Sequence, residues 1–298
     1  MRSVDDHVAA VLGLGEPLGS EPVELSRAVG LVLACDLPAR VPVPPFDNSA
    51  MDGFAVRSAD VAVTPVTLRV TGDIPAGCRE PHAIGAGEAA RIMTGAPLPE
   101  GADAIVPVED TDIAPGPVPL PPCVRVRAPA RPGRHIRRRG EDLARGEVAL
   151  TAGTVLTPAA VAAAASVGYG EVAAIRRPRV AVIATGAELR PPGQPLAPGQ
   201  IPDSNSLLLS GLVRQFGAEA HTATASDDPE EFRAVLDQAV AGADLILTTG
   251  GVSVGAFEVV RQATGARCEF VTVAMQPGKP QGIGDYAGVP LLAFPGNP

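Results

Sequence analysis

The sequence predicts a multidomain α/β plus β protein. It has a parallel α/β domain over residues 177–298, a β-rich module over 46–134, and a linking domain containing α-helix, split between 1–45 and 135–176. Strand and helix patterns alternate from Arg179 onward, which gives a parallel sheet with helices on both faces. Between Pro44 and the mid-130s the texture is short strand-like runs between turns. Helix-forming sequence brackets that β-rich stretch, so the module is read as an insertion into the linking domain.

Taken in order, Ser3 caps a first helix with Val4, His7, Val8, Val11 and Leu12 on one face, closed by Gly13 or Gly15. His7 on that stripe is a packing residue and receives no role. A second short helix is expected over Leu25–Leu33, interrupted by Gly30. In the β-rich module Thr67–Thr71, Ala89–Met93, Ala104–Val108 and Val124–Arg127 are strands bounded by Gly, Pro or Asp, the spacing of a small barrel or sandwich. Thr157-Pro158 then opens a helix over Ala159–Val167, and Gly168 stops it.

In the α/β domain the strands are Arg179–Ala184, Glu219–Thr224, Leu245–Thr249, Glu269–Ala274 and Pro290–Phe294. The helices are Ser204–Phe216, Pro229–Val240 and Ala256–Thr264. The second carries Phe232, Val235, Leu236, Ala239 and Val240 on one face.

At 298 residues and 46% apolar composition the chain supports several cores. A net charge of -9, with 3% aromatics and no Trp, argues against a nucleic-acid partner. Cys35, Cys78, Cys123 and Cys268 lie far apart, with no CxxC, and read as buried reduced thiols. No signal-peptide pattern opens the chain, and the most apolar segment, Ala159–Val167, is too short to span a bilayer. The expectation is a cytoplasmic protein with no membrane partner.

The stretch Asp244–Gly255, DLILTTGGVSVG, reads as a strand entering a glycine turn, with a helix to follow. Such a joint presents bare N–H groups and a helix N-terminus, which suit phosphate; a tight turn is the plainer reading of a lone Gly-Gly pair. It matches neither a Walker loop nor GxGxxG. Its neighbours add weight. Thr185, Gly186 and Glu188 follow the first strand, Asp227 and Asp228 the second, Gly250 to Gly255 the third, Pro277 to Lys279 the fourth, and Pro295 to Asn297 the fifth. Ligands of parallel sheets bind beyond the carboxyl ends of strands. Caps and turns explain each element singly; a succession of them on one rim argues for a site. Backbone donors suit a phosphate oxyanion, Glu188, Asp227 and Glu258 a hard cation such as magnesium, and Lys279 an anion.

Elsewhere, PPFDNSAMDGFAV (Pro44–Val56) packs Asp47, Asn48, Ser49 and Asp52 into a loop ending in Gly53, and RIMTGAPLPEGADAIVPVED (Arg91–Asp110) places Thr94 directly after a strand. Turn chemistry covers either segment singly but both together less well. The arginine run in RPGRHIRRRGEDLARGE (Arg131–Glu147) reads as a solvated, self-paired loop.

These segments, together with TGAEL, GQIPDSNS, QPGKP and FPGNP, resemble in sequence and in order the motifs of the molybdopterin molybdenumtransferase family, MoeA and the gephyrin E domain. The resemblance covers essentially the whole chain. It implies an elongated linking domain, an inserted β domain and the α/β molybdopterin-binding fold. It also implies a homodimer whose active site lies between the α/β domain of one subunit and the β domain of the other. The implied reaction inserts molybdate into adenylylated molybdopterin and releases AMP with Mg2+.

By motif, Asp52, Thr94, Asp142 and Glu188 are the implied catalytic residues, and Asp227 and Glu258 the metal ligands. The substrate loops hold Gly186, Gly250, Gly251, Ser253, Gly278, Lys279, Pro295, Gly296 and Asn297. The chain departs from the family at Gln276, where many members carry lysine, and at Glu258, where they carry aspartate. Family members continue beyond PGNP, so the sequence resembles a C-terminally truncated member. Two rivals are a molybdopterin adenylyltransferase, which would resemble the α/β domain without the preceding motifs, and a non-catalytic pterin-binding scaffold.

Overall fold

The computed structural model describes residues 1–251 and 259–296. The chain forms two compact units: residues 1–23, 30–34 and 173–298 make one, and residues 24–29 and 35–172 the other.

The second unit is built on a mixed five-stranded sheet. Its strands are β1 (Gly53–Val56), β2 (Val66–Ile74), β3 (Glu88–Ile92), β4 (Ala104–Pro107) and β5 (Cys123–Val126), in the order β4-β1-β3-β2-β5. β1 pairs antiparallel with β3 and β4, β2 parallel with β3, and β5 antiparallel with β2. Period-2 alternation sends Phe54, Val56, Leu68 and Val106 to one buried cluster, and Ala55, Ala90, Ile92 and Ile105 to another. Four strands fall where the sequence put them, within a few residues. β1 lies inside a stretch that the sequence read only as a polar loop. Its own residues, GFAV, are fully covered on both sides, so alternation gives no signal there.

The first unit carries a six-stranded sheet. Its strands are β6 (Arg179–Thr185), β7 (Glu219–Ala225), β8 (Leu245–Thr249), β9 (Cys268–Thr272), β10 (Pro280–Tyr286) and β11 (Val289–Phe294), in the order β7-β6-β8-β11-β10-β9. The helices are α1 (Val4–Leu12) here, α2 (Pro158–Ser166) in the other unit, then α3 (Asn205–Gln215), α4 (Pro229–Val240) and α5 (Val259–Thr264). β7, β6, β8 and β11 are parallel. α4 and α5 pack on one face through Phe232, Leu236, Val259 and Val260; Val213 of α3 packs on the other with Val180 and Val182.

The wholly parallel sheet expected from sequence is corrected at one edge. β10 runs antiparallel to both β11 and β9. The reversal between β10 and β11 is a two-residue turn with Ala287 at φ 49° and Gly288 at φ 85°. Two positive φ values match the twist of the flanking strands. Ala-Gly lacks the Asn-Gly or Asp-Gly signature, and β10 was therefore missed. Because two reversals restore direction, the carboxyl end of β9 still lies on the same rim as those of β6, β7, β8 and β11.

Two further expectations change. Leu25–Leu33 is no helix: a 3-10 turn spans Leu25–Arg27, Gly30 turns at φ 83°, and Val32–Leu33 pairs with Ala174 and Ile175. The stripe of α1 is largely uncovered within this chain, with Val4 44%, Val8 50% and Leu12 73% exposed, whereas His7 is buried at 7%. The cysteines are free thiols, but Cys35 and Cys123 are exposed. Among the described residues no helix is long and apolar enough to cross a membrane.

Candidate functional site

The rim of the six-stranded sheet is joined backbone to backbone. Gly250 turns at φ 96° and Gly251 at φ 62°, a left-handed path that side chains resist. A Cβ on Gly250 would lie 2.6 Å from the Thr185 carbonyl oxygen at the end of β6. The Gly250 N–H donates to the Phe294 carbonyl at 3.1 Å, tying the turn after β8 to the end of β11. Asn205, the first residue of α3, donates through Nδ2 to Thr249 Oγ1 (2.9 Å) and to the Gly296 carbonyl (2.8 Å). Ser253, Glu258 and Asn297, named from sequence, lie outside the described residues, so α5 is followed only from Val259.

Two carboxylates flank the turn after β6. The Ala187 N–H donates to Asp227 Oδ2 at 3.1 Å. Glu188 folds back over Gly186, its carboxylate oxygens 2.6 and 2.7 Å from where a Cβ on that glycine would stand. Both acids are exposed, and neither is in an ion pair among the described residues. Asp228 instead caps α4, accepting from Glu230 N and Glu231 N at 2.9 Å. Beside this turn a cavity of about 330 Å³ is lined by Leu189, Arg190, Asp203, Ser206, Thr222 and Thr224. Sequence reading gave those residues no part in a site.

Lys279 is exposed on the loop from β9 to β10. The loop is fixed by the Val273 N–H donating to the Lys279 carbonyl at 2.8 Å and by Gln281 Nε2 donating to the Gly278 carbonyl at 3.1 Å. Gln281 Oε1 in turn faces buried His7 Nε2 at 2.9 Å. His7 thus has a partner at the start of β10, next to this loop, which its place on an apolar stripe did not reveal.

The other unit holds a separate cluster. Asp52 Oδ1 accepts from both the backbone N–H (2.7 Å) and the hydroxyl (2.8 Å) of Thr94. These bonds, the backbone one foremost, hold the Asp52 carboxyl below the usual carboxylate range. Asp52 lines a cavity of about 420 Å³ with Phe54, Arg91, Met93, Glu109 and Val118. Among the described residues the arginine run is self-paired only at Arg137; Arg134 and Arg138 instead reach acids outside it, Asp110 and Asp47. Arg137 pairs with Asp142 and, at 3.4 Å, with Glu141; Arg138 pairs with Asp47 at 2.6 Å. Asp142 therefore stands exposed beside the Arg137 guanidinium.

Comparison with known proteins follows this division. Residues 2–168 match the family model described as the MoeA N-terminal region (domain I and II), and residues 181–298 the model described as a probable molybdopterin binding domain. A curated protein of Mycobacterium tuberculosis named molybdopterin molybdenumtransferase 2 is 49% identical, over 100% of this chain and 75% of its own length. One of Nostoc sp., named molybdopterin molybdenumtransferase, is 38% identical over 100% of this chain and 70% of its own. The crystal structure of a molybdopterin biosynthesis MoeA protein from Pyrococcus horikoshii superposes with a TM-score of 0.83 at 30% identity, covering 100% of this chain and 74% of that one. Matched along its length by sequence and by fold, the chain belongs to the molybdopterin molybdenumtransferase (MoeA) family of molybdenum cofactor biosynthesis.

Proposed function

We propose that this chain acts as a molybdenumtransferase, inserting molybdate into adenylylated molybdopterin with release of AMP, in a magnesium-dependent reaction and as a homodimer. The observation that carries the reading is the rim itself: in a chain of this family, a glycine turn, two carboxylates with no ion pair among the described residues and an exposed lysine share the carboxyl ends of a single sheet.

Each group has a chemical task. With the Gly250 N–H bonded to Phe294, the Gly250–Gly251 turn offers the Gly251 N–H to phosphate oxygens of the pterin nucleotide. Lys279 supplies a compact positive charge for the tetrahedral molybdate dianion. Gln276, where many members carry a second lysine, donates a hydrogen bond but no charge, so binding of the dianion rests more heavily on Lys279.

Glu188 and Asp227 fit a magnesium ion: they approach one turn from neighbouring strands and have no cationic partner among the described residues. Magnesium needs only one or two carboxylates together with phosphate oxygens. When bound there, it would neutralise charge on the phosphates during scission of the adenylyl bond. In the other unit Asp52, a carboxylate at neutral pH and held in place by Thr94, is proposed with Thr94 and Asp142 as catalytic residues.

The test is direct. The purified chain is incubated with adenylylated molybdopterin, molybdate and Mg2+, and free AMP is quantified with and without EDTA. Magnesium-dependent AMP release with pterin-bound molybdenum is the expected result. ATP-dependent adenylylation of molybdopterin would overturn the reading in favour of an adenylyltransferase; pterin binding without either reaction would make the chain a scaffold. Light scattering gives the oligomeric state, with twice the monomer mass expected.

A further inference from the structure

Asn205 touches two loops that sequence reading treated as separate. Its Nδ2 reaches Thr249 Oγ1 at 2.9 Å and the Gly296 carbonyl at 2.8 Å. The carbonyl can only accept, so the amide orientation is fixed: nitrogen faces both partners, and both its hydrogens are used. The Thr249 hydroxyl, accepting from Asn205, is left to donate to the Pro295 carbonyl at 3.4 Å. One side chain at the start of α3 therefore binds the end of β8 and the turn after β11.

The backbone between those points has little slack. A Cβ on Gly296 would stand 3.3 Å from Gly250 Cα, and the Gly250 N–H is already committed to Phe294. The direction in which the glycine turn presents the Gly251 amide depends on how the two turns are registered. We propose that Asn205 is a positioning residue: it holds the Thr249–Gly251 turn against the Pro295–Gly296 turn and so sets the affinity for the anionic group of the pterin ligand without touching it. The ligand half of this proposal rests on the function proposed above; the clamp itself does not.

The experiment has two readouts on the full chain. Amide hydrogen exchange is measured without ligand for Asn205→Asp, which keeps shape but removes both donors and sets an oxygen against the Gly296 carbonyl. Segments containing Gly250, Gly251 and Gly296 should exchange at least about tenfold faster, while β6 and α4 stay protected. Unchanged exchange at these turns overturns the clamp. Equilibrium binding of molybdopterin is then measured. Asn205→Asp should weaken it about tenfold or more and Thr249→Val about threefold, whereas Thr249→Ser, which keeps the hydroxyl, should stay within about twofold. Faster exchange with unaltered affinity overturns the positioning role. Absence of binding by the unsubstituted chain overturns the ligand reading, and is distinguishable because exchange is read without ligand.

Discussion

Asp52 and Thr94 are joined twice through one atom: Asp52 Oδ1 accepts the Thr94 backbone N–H at 2.7 Å and its hydroxyl at 2.8 Å. Thr94→Val keeps shape and the backbone bond but removes the hydroxyl. The folded-state carboxyl pKa, now depressed, should rise toward its ordinary value. A depressed carboxyl favours folding above its unfolded value and loses that contribution as pH falls through the folded one. The acid limb of the pH–rate profile for AMP release should move to higher pH with the carboxyl pKa, while the titration itself leaves the rate at neutrality unchanged. An unmoved limb would remove Asp52 from the titrating step.

Asp227→Asn removes a carboxylate from the turn after β6 while preserving an acceptor for the Ala187 N–H. The Mg2+ concentration giving half-maximal AMP release should rise about tenfold or more, with the circular-dichroism spectrum unchanged. Glu188→Gln should act in the same direction. Equal magnesium dependence in both variants and the parent would place the metal elsewhere.

Arg176 and Asp244 form a fork at the start of β8, both guanidinium nitrogens 2.6 Å from carboxylate oxygens, with the Arg179 N–H adding a third bond at 2.8 Å. The Arg176 bonds foremost pull the Asp244 carboxyl from 3.8 down to about 2. Stability from this group is complete above the unfolded value and is lost as pH falls from there toward about 2. Asp244→Asn should lower the thermal midpoint at neutral pH by roughly 3–6 °C. The difference from the parent should shrink in scans taken between pH 4 and pH 2.

His7 faces Gln281 Oε1, an acceptor, so its Nε2 carries the hydrogen. His7→Ala frees Gln281, whose amide otherwise holds the Gly278 carbonyl beside Lys279. Limited proteolysis at the β9–β10 loop should accelerate, and molybdate should bind more weakly by about threefold to tenfold. His7→Gln, which can restore the donor, should return both toward the parent.

Phe232 of α4 is 0% exposed, between the sheet and α5. Phe232→Ala should cost about 3–5 kcal/mol in urea unfolding of the α/β unit, from lost transfer free energy and a residual cavity.

What the sequence disclosed follows from how local each cause is. α4 was placed to the residue because Asp228 caps it, Pro229 opens it and Phe232 to Val240 repeat at helical spacing. The order of rim elements was equally legible, since each is a polar or glycine residue after an apolar run. β10 escaped because QGIGDY has two glycines, required by close neighbours (a Cβ on Gly284 would meet the Arg267 carbonyl oxygen at 2.2 Å), and alternates no apolar side chains. Asn205 was legible as a helix start but not as a clamp, because its partners lie 44 and 91 residues away. The His7 bond spans 274 residues and is invisible to any local pattern.

The strand order also has a temporal side. β11, the last described strand to leave the ribosome, takes an interior place between β8 and β10. A nascent chain that has emerged through Tyr286 therefore carries two half-built sheets with facing, hydrogen-bond-hungry borders and no strand to bridge them. Vectorial synthesis thus delays the junction of the two rim turns until β11 has emerged, and a ribosome stalled before Val289 would expose those borders to other chains.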